Sequence, residues 1–275
     1  PDITHVEKAL RSLELLVVQD IFPTETTALA HVVLPGVSFA EKDGTFTSTD
    51  RRVQRVRKAI EPIGESRPDW QIICDLARAM GASGFDYSSP AQIFDEIASL
   101  VPIYGGISYE RIAQEGIQWP CRTKDDPSTV FLHKDTFAKG LGTFKAIEYK
   151  APAELPDKDY PFILITGRDG FHYHTGSMTR RSVSLTKQLN HCYVEVNPAD
   201  ARQYRIKKGD LIRLISRRGA IEVKARITDV VSRGSVFVPF HFAEAAANVL
   251  TNPAVDPVVK IPEYKVCAVR IEKVS

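Results

Sequence analysis

The sequence predicts an α/β layer followed by an all-β region that closes into a barrel. Three observations predict it. Short, almost continuous apolar runs alternate with segments of helical period in the first 120 residues. Between about 121 and 160, Pro127, Pro152 and Pro156 stand among Lys and Asp and interrupt every period. Beyond them come six short apolar or alternating runs with one helix signal, the pattern of a closed barrel.

Leu13 to Val18 is apolar and ends in Gln19-Asp20, as a buried parallel strand does. Ala28 to Leu34 repeats the pattern and stops at the turn signal Pro35-Gly36. Asp69 to Met80 reads as a helix, with Ile72, Ile73, Leu76, Ala77 and Met80 on one face. Asp69 is the expected N-cap and Gly81 the stop. A second helix is expected over Ala91 to Leu100. The expected strands of the β region are Phe162 to Thr166, Cys192 to Val196, Asp210 to Ser216, Ala220 to Thr228, Ser235 to Phe240 and Tyr264 to Ile271. Arg217-Arg218-Gly219 is the turn of a hairpin. Asn197-Pro198 opens a short helix with Asn at the cap and Pro first inside. The expected division is 1–120 for the α/β domain, 121–156 for a linker and 157–275 for the barrel.

The 275 residues leave room for one large or two ordinary domains. A net charge of +2 gives no general attraction to nucleic acid or to an anionic membrane. No apolar run approaches the roughly 20 residues that span a bilayer. The start at Pro1, without a signal-peptide pattern, is what a piece of a longer polypeptide looks like. The four cysteines are scattered and form no C-x-x-C pair, so no zinc or iron–sulfur site is expected from this chain alone. Cys74 and Cys267 lie in apolar contexts and read as core. The absence of G-x-S-x-G and H-E-x-x-H leaves no self-contained nucleophile or metal centre in view.

Five places carry candidate chemistry. Gln19 and Asp20 end a strand, where open α/β sheets bind ligands, although such a pair also starts ordinary solvated loops. Glu41 to Arg52 mixes Gly44 with hydroxyls and arginines, which suits either a loop wrapping phosphate or ribose or a solvated charged face. Asp69 either caps its helix or accepts paired N–H bonds from a guanine edge, and the two roles are compatible. Thr166 to Thr179 gathers three glycines, Arg168, His172, Tyr173, His174 and several hydroxyls directly after a strand. Arg168 has the planar fork that clamps phosphate. His172 and His174 are two apart, which allows a metal pair, but no third ligand stands nearby and a hydrogen-bonding surface is the better reading. The last cluster runs from Phe240-His241-Phe242 through Asn248 and Thr251 to Pro262-Glu263-Tyr264-Lys265, and suits either a planar ligand or core packing.

Taken in order, these clusters resemble the C-terminal part of the molybdopterin-guanine-dinucleotide oxidoreductases over nearly the whole chain. V-V-Q-D-I-F-P-T-E-T-T-A-L-A-H-V-V-L-P is similar to the family's strand-loop-strand signature, with His31 where the family usually has Asp. E-K-D-G-T-F-T-S-T-D-R-R-V-Q-R-V-R-K, R-P-D-W-Q-I-I, G-R-x-x-x-H-Y-H-T-G-S-M-T and P-E-Y-K-V-C-A-V-R-I-E resemble formate dehydrogenase catalytic subunits in particular. The resemblance implies a partial Rossmann-like α/β domain and a six-stranded double-psi β-barrel. It implies two pterin-guanine dinucleotides whose dithiolenes hold Mo or W. Gln19, Asp20 and Asp69 would meet the guanosine end. Arg168, His172, Tyr173, His174, Phe240, Asn248, Tyr264 and Lys265 would meet the pterin and phosphate region. The family's cysteine or selenocysteine metal ligand, its substrate arginine and its iron–sulfur cysteines precede this region. No catalytic or metal-ligating residue is therefore assigned here, and the chain alone is expected to be inactive. Implied partners are the N-terminal remainder of the same subunit, iron–sulfur or flavin electron-transfer subunits, and formate or CO2 as the small-molecule substrate. The cytoplasm is the expected compartment, with the periplasm as the alternative. A related enzyme such as an assimilatory nitrate reductase, or a non-catalytic cofactor-binding module, is the competing reading.

Overall fold

The computed structural model describes residues 2–274. Along the chain run α1 (Ile3–Arg11), β1 (Val17–Asp20), β2 (Val32–Pro35), β3 (Gly44–Thr47), β4 (Arg52–Val56), α2 (Asp69–Ala79), α3 (Pro90–Leu100) and β5 (Ile117–Gln118). They are followed by β6 (Phe162–Gly167), α4 (Val183–Gln188), β7 (Tyr193–Val196), α5 (Pro198–Gln203), β8 (Leu211–Ile215), β9 (Ala220–Ile227), β10 (Ser235–Pro239) and β11 (Cys267–Lys273). The chain divides into two compact units. One is Leu15–Ala146; the other joins the chain up to Glu14 with the chain from Ile147 onward.

In the first unit β1 and β2 pair in parallel, with Val17 opposite Val32 and Asp20 opposite Pro35. Each of these strands is only four residues long, shorter than its expected apolar run; before β2, Thr27–Leu29 winds into a 3-10 turn. α2 starts at Asp69, but its cap is not the expected one. Pro68 is the N-cap, and no side chain caps the helix there. Asp69 stands one position inside, where a carboxylate is still favoured by the positive end of the helix dipole. α3 follows the rule more closely: the Ser89 side chain accepts from Gln92 N–H at 3.4 Å, and Pro90 is the first helical residue. Ile72 and Cys74 of α2 are buried, whereas Ile73, Leu76 and Met80 stay exposed and leave an apolar stripe open.

The Glu41 to Arg52 stretch is a half-exposed strand segment, closer to the solvated charged face than to a free phosphate loop. It builds the antiparallel β3–β4 hairpin, which β5 extends into a three-stranded sheet. Its arginines are taken up by the protein: Arg51 donates to the carbonyls of Thr129 and Val130 at 3.1 and 2.8 Å, Arg52 to that of Gly116 at 3.1 Å, and Arg55 lies 4.1 Å over the Tyr109 ring. Val53, Phe94, Ile107, Ile112 and Cys121 form the core of this unit.

The second unit is the closed six-stranded barrel that the sequence predicts, in the order β10-β6-β11-β8-β9-β7. β10 runs parallel to β6 and β7 parallel to β9; the other neighbours are antiparallel. Burial alternates strictly along β9, so every second side chain fills the interior. Leu164, Val194, Ile212, Leu214, Val236 and Val238 are fully buried there, each contributing about 1.5–3 kcal/mol of transfer free energy. The β8–β9 turn falls at Arg217-Arg218-Gly219, where Ser216 N–H donates to the Gly219 carbonyl at 2.9 Å. Asn197 caps α5 through its side-chain oxygen, which accepts from Ala199 N–H at 2.9 Å.

Two helices go beyond the sequence expectation of one in the β region. α4 was not expected, and α1 packs with this unit, where Asp2 N–H donates to Thr251 Oγ1 at 3.3 Å. In the stretch expected as a linker, residues 130–151 are exposed throughout. Its ends are held, by Arg111 donating to the Asp126 carbonyl at 3.1 Å and by Glu154 pairing with Arg218 at 2.7 Å.

Candidate functional site

The first group of candidates lies in the Leu15–Ala146 unit at the carboxyl ends of β1 and β2. The Gln19 side-chain amide donates to Asp69 Oδ1 at 2.7 Å, and the Lys42 ammonium pairs with Asp69 Oδ2. Burial pushes the Asp69 carboxyl up, but the bonds from Lys42 and Gln19 outweigh it and hold the group below the usual carboxylate range. The carboxylate is therefore ionised and faces a cavity of about 240 Å³ bordered by Lys42, Trp70 and Tyr109. Asp20 turns back on its own loop, accepting from Ile21 and Phe22 N–H at 2.7 and 3.2 Å. Gln19 and Asp69, both candidates from the sequence, thus lie in contact, and Lys42 joins them although its signal is submerged in the charged stretch around it.

The second group lies in the barrel unit. A cavity of about 660 Å³ is lined by Thr166, Arg168, His174, Thr175, Phe240, Asn248, Tyr264 and Lys265. Six of these residues are sequence candidates, drawn from three segments up to 97 residues apart in number, Arg168 to Lys265. Strand endings bring them together. β6 ends at Gly167 and releases Arg168; β10 ends at Pro239 and releases Phe240. β11 begins at Cys267, three residues later than expected. Tyr264 and Lys265 are held off the ladder instead: the Tyr264 carbonyl accepts from Thr166 Oγ1 at 2.9 Å, and the Lys265 ammonium donates to the Thr166 carbonyl.

His172 and Tyr173 do not line this cavity. His172 is buried, with Nε2 2.7 Å from the Leu189 carbonyl and Nδ1 3.2 Å from Thr179 Oγ1. Both ring nitrogens are spent on protein, which removes it from cofactor contact at this cavity and from the metal pair considered with His174. Tyr173 projects outward and is 63% exposed. Among the described residues no group of three or more His, Cys, Asp or Glu is gathered to hold a metal ion.

The loop between Arg168 and Gly176 is fixed from below by a residue that sequence reasoning placed only among the aromatics at a strand end. His241 is fully buried. Its Nε2 accepts from Asp169 N–H at 2.8 Å, which puts the ring proton on Nδ1, facing the His174 carbonyl. Desolvation lowers the His241 pKa, so the ring is neutral. Asp169 adds its own ties, accepting from Tyr193 OH at 2.9 Å and from Phe171 N–H at 3.0 Å. Gly176 closes the loop at φ +76°, and a Cβ there would sit 2.8 Å from the His241 carbonyl.

The donor set fits a large group with anionic and heteroaromatic parts. Arg168 and Lys265 supply basic side chains, Thr166, Thr175 and Asn248 supply hydroxyl and amide groups, and Phe240 and Tyr264 supply ring faces.

Comparison with known proteins gives the same direction. Residues 162–268 match the molydopterin dinucleotide binding domain, and residues 1–79 match the molybdopterin oxidoreductase family. The chain is 55% identical over 277 residues to the F420-dependent formate dehydrogenase subunit alpha of Methanocaldococcus jannaschii, covering 100% of this chain and 41% of that protein. It is 41% identical over 283 residues to the assimilatory nitrate reductase catalytic subunit of Bacillus subtilis, covering 98% of this chain and 40% of that one. Acetylene hydratase from Pelobacter acetylenicus has the same fold, with a TM-score of 0.77 at 17% identity over 99% of this chain and 42% of its own. The chain thus spans about two fifths of the length of the relatives it matches.

Proposed function

From a chain that belongs to the molybdopterin oxidoreductase family and carries its dinucleotide-binding barrel, we propose the C-terminal, cofactor-holding part of a formate dehydrogenase catalytic subunit. One observation carries the reading: Arg168, His174, Phe240, Asn248, Tyr264 and Lys265, singled out in the sequence, converge on one cavity of about 660 Å³. The higher identity to the Methanocaldococcus jannaschii formate dehydrogenase subunit than to the Bacillus subtilis nitrate reductase favours formate as the substrate.

When bound, a Mo or W centre on two pterin-guanine dinucleotides supplies the two-electron chemistry by which formate gives CO2, two electrons and a proton. This chain's residues bind and orient. Arg168 and Lys265 neutralise phosphate, with the Arg fork fixing direction as well as charge. Asn248 and the Thr166 and Thr175 hydroxyls take the polar edges of the pterin, and Phe240 and Tyr264 pack its faces. In the other unit Asp69, kept ionised by Lys42 and aimed by Gln19, accepts from the guanine edge of a dinucleotide. The metal ligand, an iron–sulfur cluster and the substrate site belong to the remainder of the subunit. That remainder also covers the stripe of Ile73, Leu76 and Met80, which is too apolar to face water in the whole protein.

The relative's name points to F420 as the electron acceptor, reached through electron-transfer subunits. No helix among the described residues is long and apolar enough to cross a membrane. The test is anaerobic assay of the full-length protein with its subunits. Formate-dependent reduction of F420, with pterin dinucleotide and Mo or W in the preparation, supports the reading. Reduction of nitrate without formate oxidation would replace it.

A further inference from the structure

We infer that His241 is a positioning residue, a neutral clamp that presets the Arg168–Gly176 loop for the pterin dinucleotide. The inference rests on the proposed function for the identity of the ligand and on the geometry for everything else. The loop leaves the barrel after β6, and its two ends supply Arg168 and His174 to the cavity wall. It contains no helix or strand up to Gly176, so nothing regular holds its shape. His241 reaches it from the segment after β10. One ring nitrogen accepts from Asp169 N–H, next to Arg168, and the other donates to the carbonyl of His174.

A single rigid ring thus bridges two backbone groups five residues apart, and each belongs to, or adjoins, a cavity residue. His174 has φ +46°, a left-handed conformation that a non-glycine residue keeps only when its surroundings hold it. The bond from His241 is such a hold. The surroundings also fix the clamp: His172 and Phe242 lie 5.8 and 5.5 Å apart in their respective ring pairs with His241 and His172, and Gly176 leaves the room that a Cβ would take from the His241 carbonyl. One donor and one acceptor are both needed, so the ring must stay neutral. An imidazolium would present two donors and lose the Asp169 bond. Burial keeps it neutral by disfavouring the charged form.

The clamp acts through other residues, so its test separates bond pattern from bulk. In the full-length enzyme, His241→Leu fills the space and removes both bonds, whereas His241→Gln restores one acceptor and one neutral donor. Dinucleotide content is measured as guanine nucleotide released per chain, and loop order by hydrogen exchange of peptides covering 167–178. His241→Leu should lower retained dinucleotide about tenfold or more, the effect of losing two ordinary hydrogen bonds, and speed exchange in the loop. His241→Gln should recover most of both. Wild-type content and exchange in both variants would overturn the inference, and so would a Gln variant as impaired as Leu. If His241→Leu does not fold, the Gln variant and the wild-type Asp169 amide decide; rapid exchange of that amide in the loaded wild type counts against the clamp. A wild-type protein that carries no pterin dinucleotide contradicts the proposed function instead, so the two failures are distinguishable.

Discussion

Gln19 and Asp69 meet at 2.7 Å across fifty residues of chain, the amide at the end of β1 donating to the carboxylate at the start of α2. The contact ties the end of a parallel strand to the first turn of a helix, the place where α/β sheets take ligands. Gly36 makes it possible, since its missing side chain leaves Asp69 Oδ1 close against the backbone: a Cβ there would lie 3.1 Å from that oxygen.

Asp69→Asn keeps the shape of this contact and removes the charge that pairs with Lys42. Because Pro68 rather than Asp69 is the N-cap, no N-cap side-chain bond is lost. A half-exposed ion pair is worth at most about 1 kcal/mol, so the thermal midpoint should move little. Guanine nucleotide released per chain should nevertheless fall clearly. Normal content in a protein of equal stability would leave Asp69 a structural role only.

The fold is most legible where burial alternates. All six barrel strands fall within one to three residues of the apolar runs, because a two-residue period with one face inside fixes both position and register. The hairpin turn and the Asn197 cap are equally local signals. The expectations that changed depend on contacts distant in sequence. Asp69 has the composition of a cap, but Pro68 takes that position and Gln19 and Lys42 draw the carboxylate sideways. His172 has the composition of a ligand-binding residue, but Leu189 and Thr179 occupy both its nitrogens. Arg51, Arg52 and Arg55 suit a phosphate loop or a solvated face equally by composition, and only the carbonyls and the ring that accept them show their use. α4 opens with Val183-Ser184 in a serine-rich run of weak period, and nothing in its six residues announces a helix.

Glu41 gives a pH dependence with a definite sign. Its carboxylate accepts from Ser38 N–H at 2.8 Å in a capping box and from Ile63 N–H at 2.8 Å. The Ser38 bonds, reinforced by that of Ile63, hold its pKa below the usual value against burial. A depressed carboxyl stabilises the fold fully above its unfolded pKa, and this contribution is lost as pH falls through the folded one. Denaturant midpoints of the protein should therefore fall on the acid side, and Glu41→Gln should flatten that fall while lowering the midpoint at neutral pH. An unchanged acid slope would show that the bonds do not contribute.

All four cysteines are buried. Burial pushes the Cys192 thiol up to about 12 and the Cys267 thiol up to about 11. At pH 8 neither offers appreciable thiolate, so iodoacetamide should leave both unmodified in the native protein and label them after unfolding. Peptide mass mapping checks this, and rapid native labelling of either would contradict it.

Gly167 ends β6 directly before Arg168, opposite Pro239 of β10. A Cβ there would lie 2.4 Å from the Phe237 ring, so Gly167→Ala must displace that ring or the strand. The expected cost is about 1–3 kcal/mol, the range for overpacking a filled core, with reduced dinucleotide content because Arg168 moves too. Chemical denaturation measures the first effect, and a variant as stable as wild type would contradict it.

In the proposed function the barrel cavity around Arg168, Asn248 and Lys265 receives a pterin dinucleotide. An anaerobic structure of the full-length, cofactor-loaded protein measures this most directly. Pterin or phosphate atoms should lie within hydrogen-bond distance of Arg168 and Lys265, with no side chain between Thr166 and Thr179 bonded to the metal. A dinucleotide bound elsewhere with this cavity filled by water, or a metal bond from His172 or His174, would contradict it.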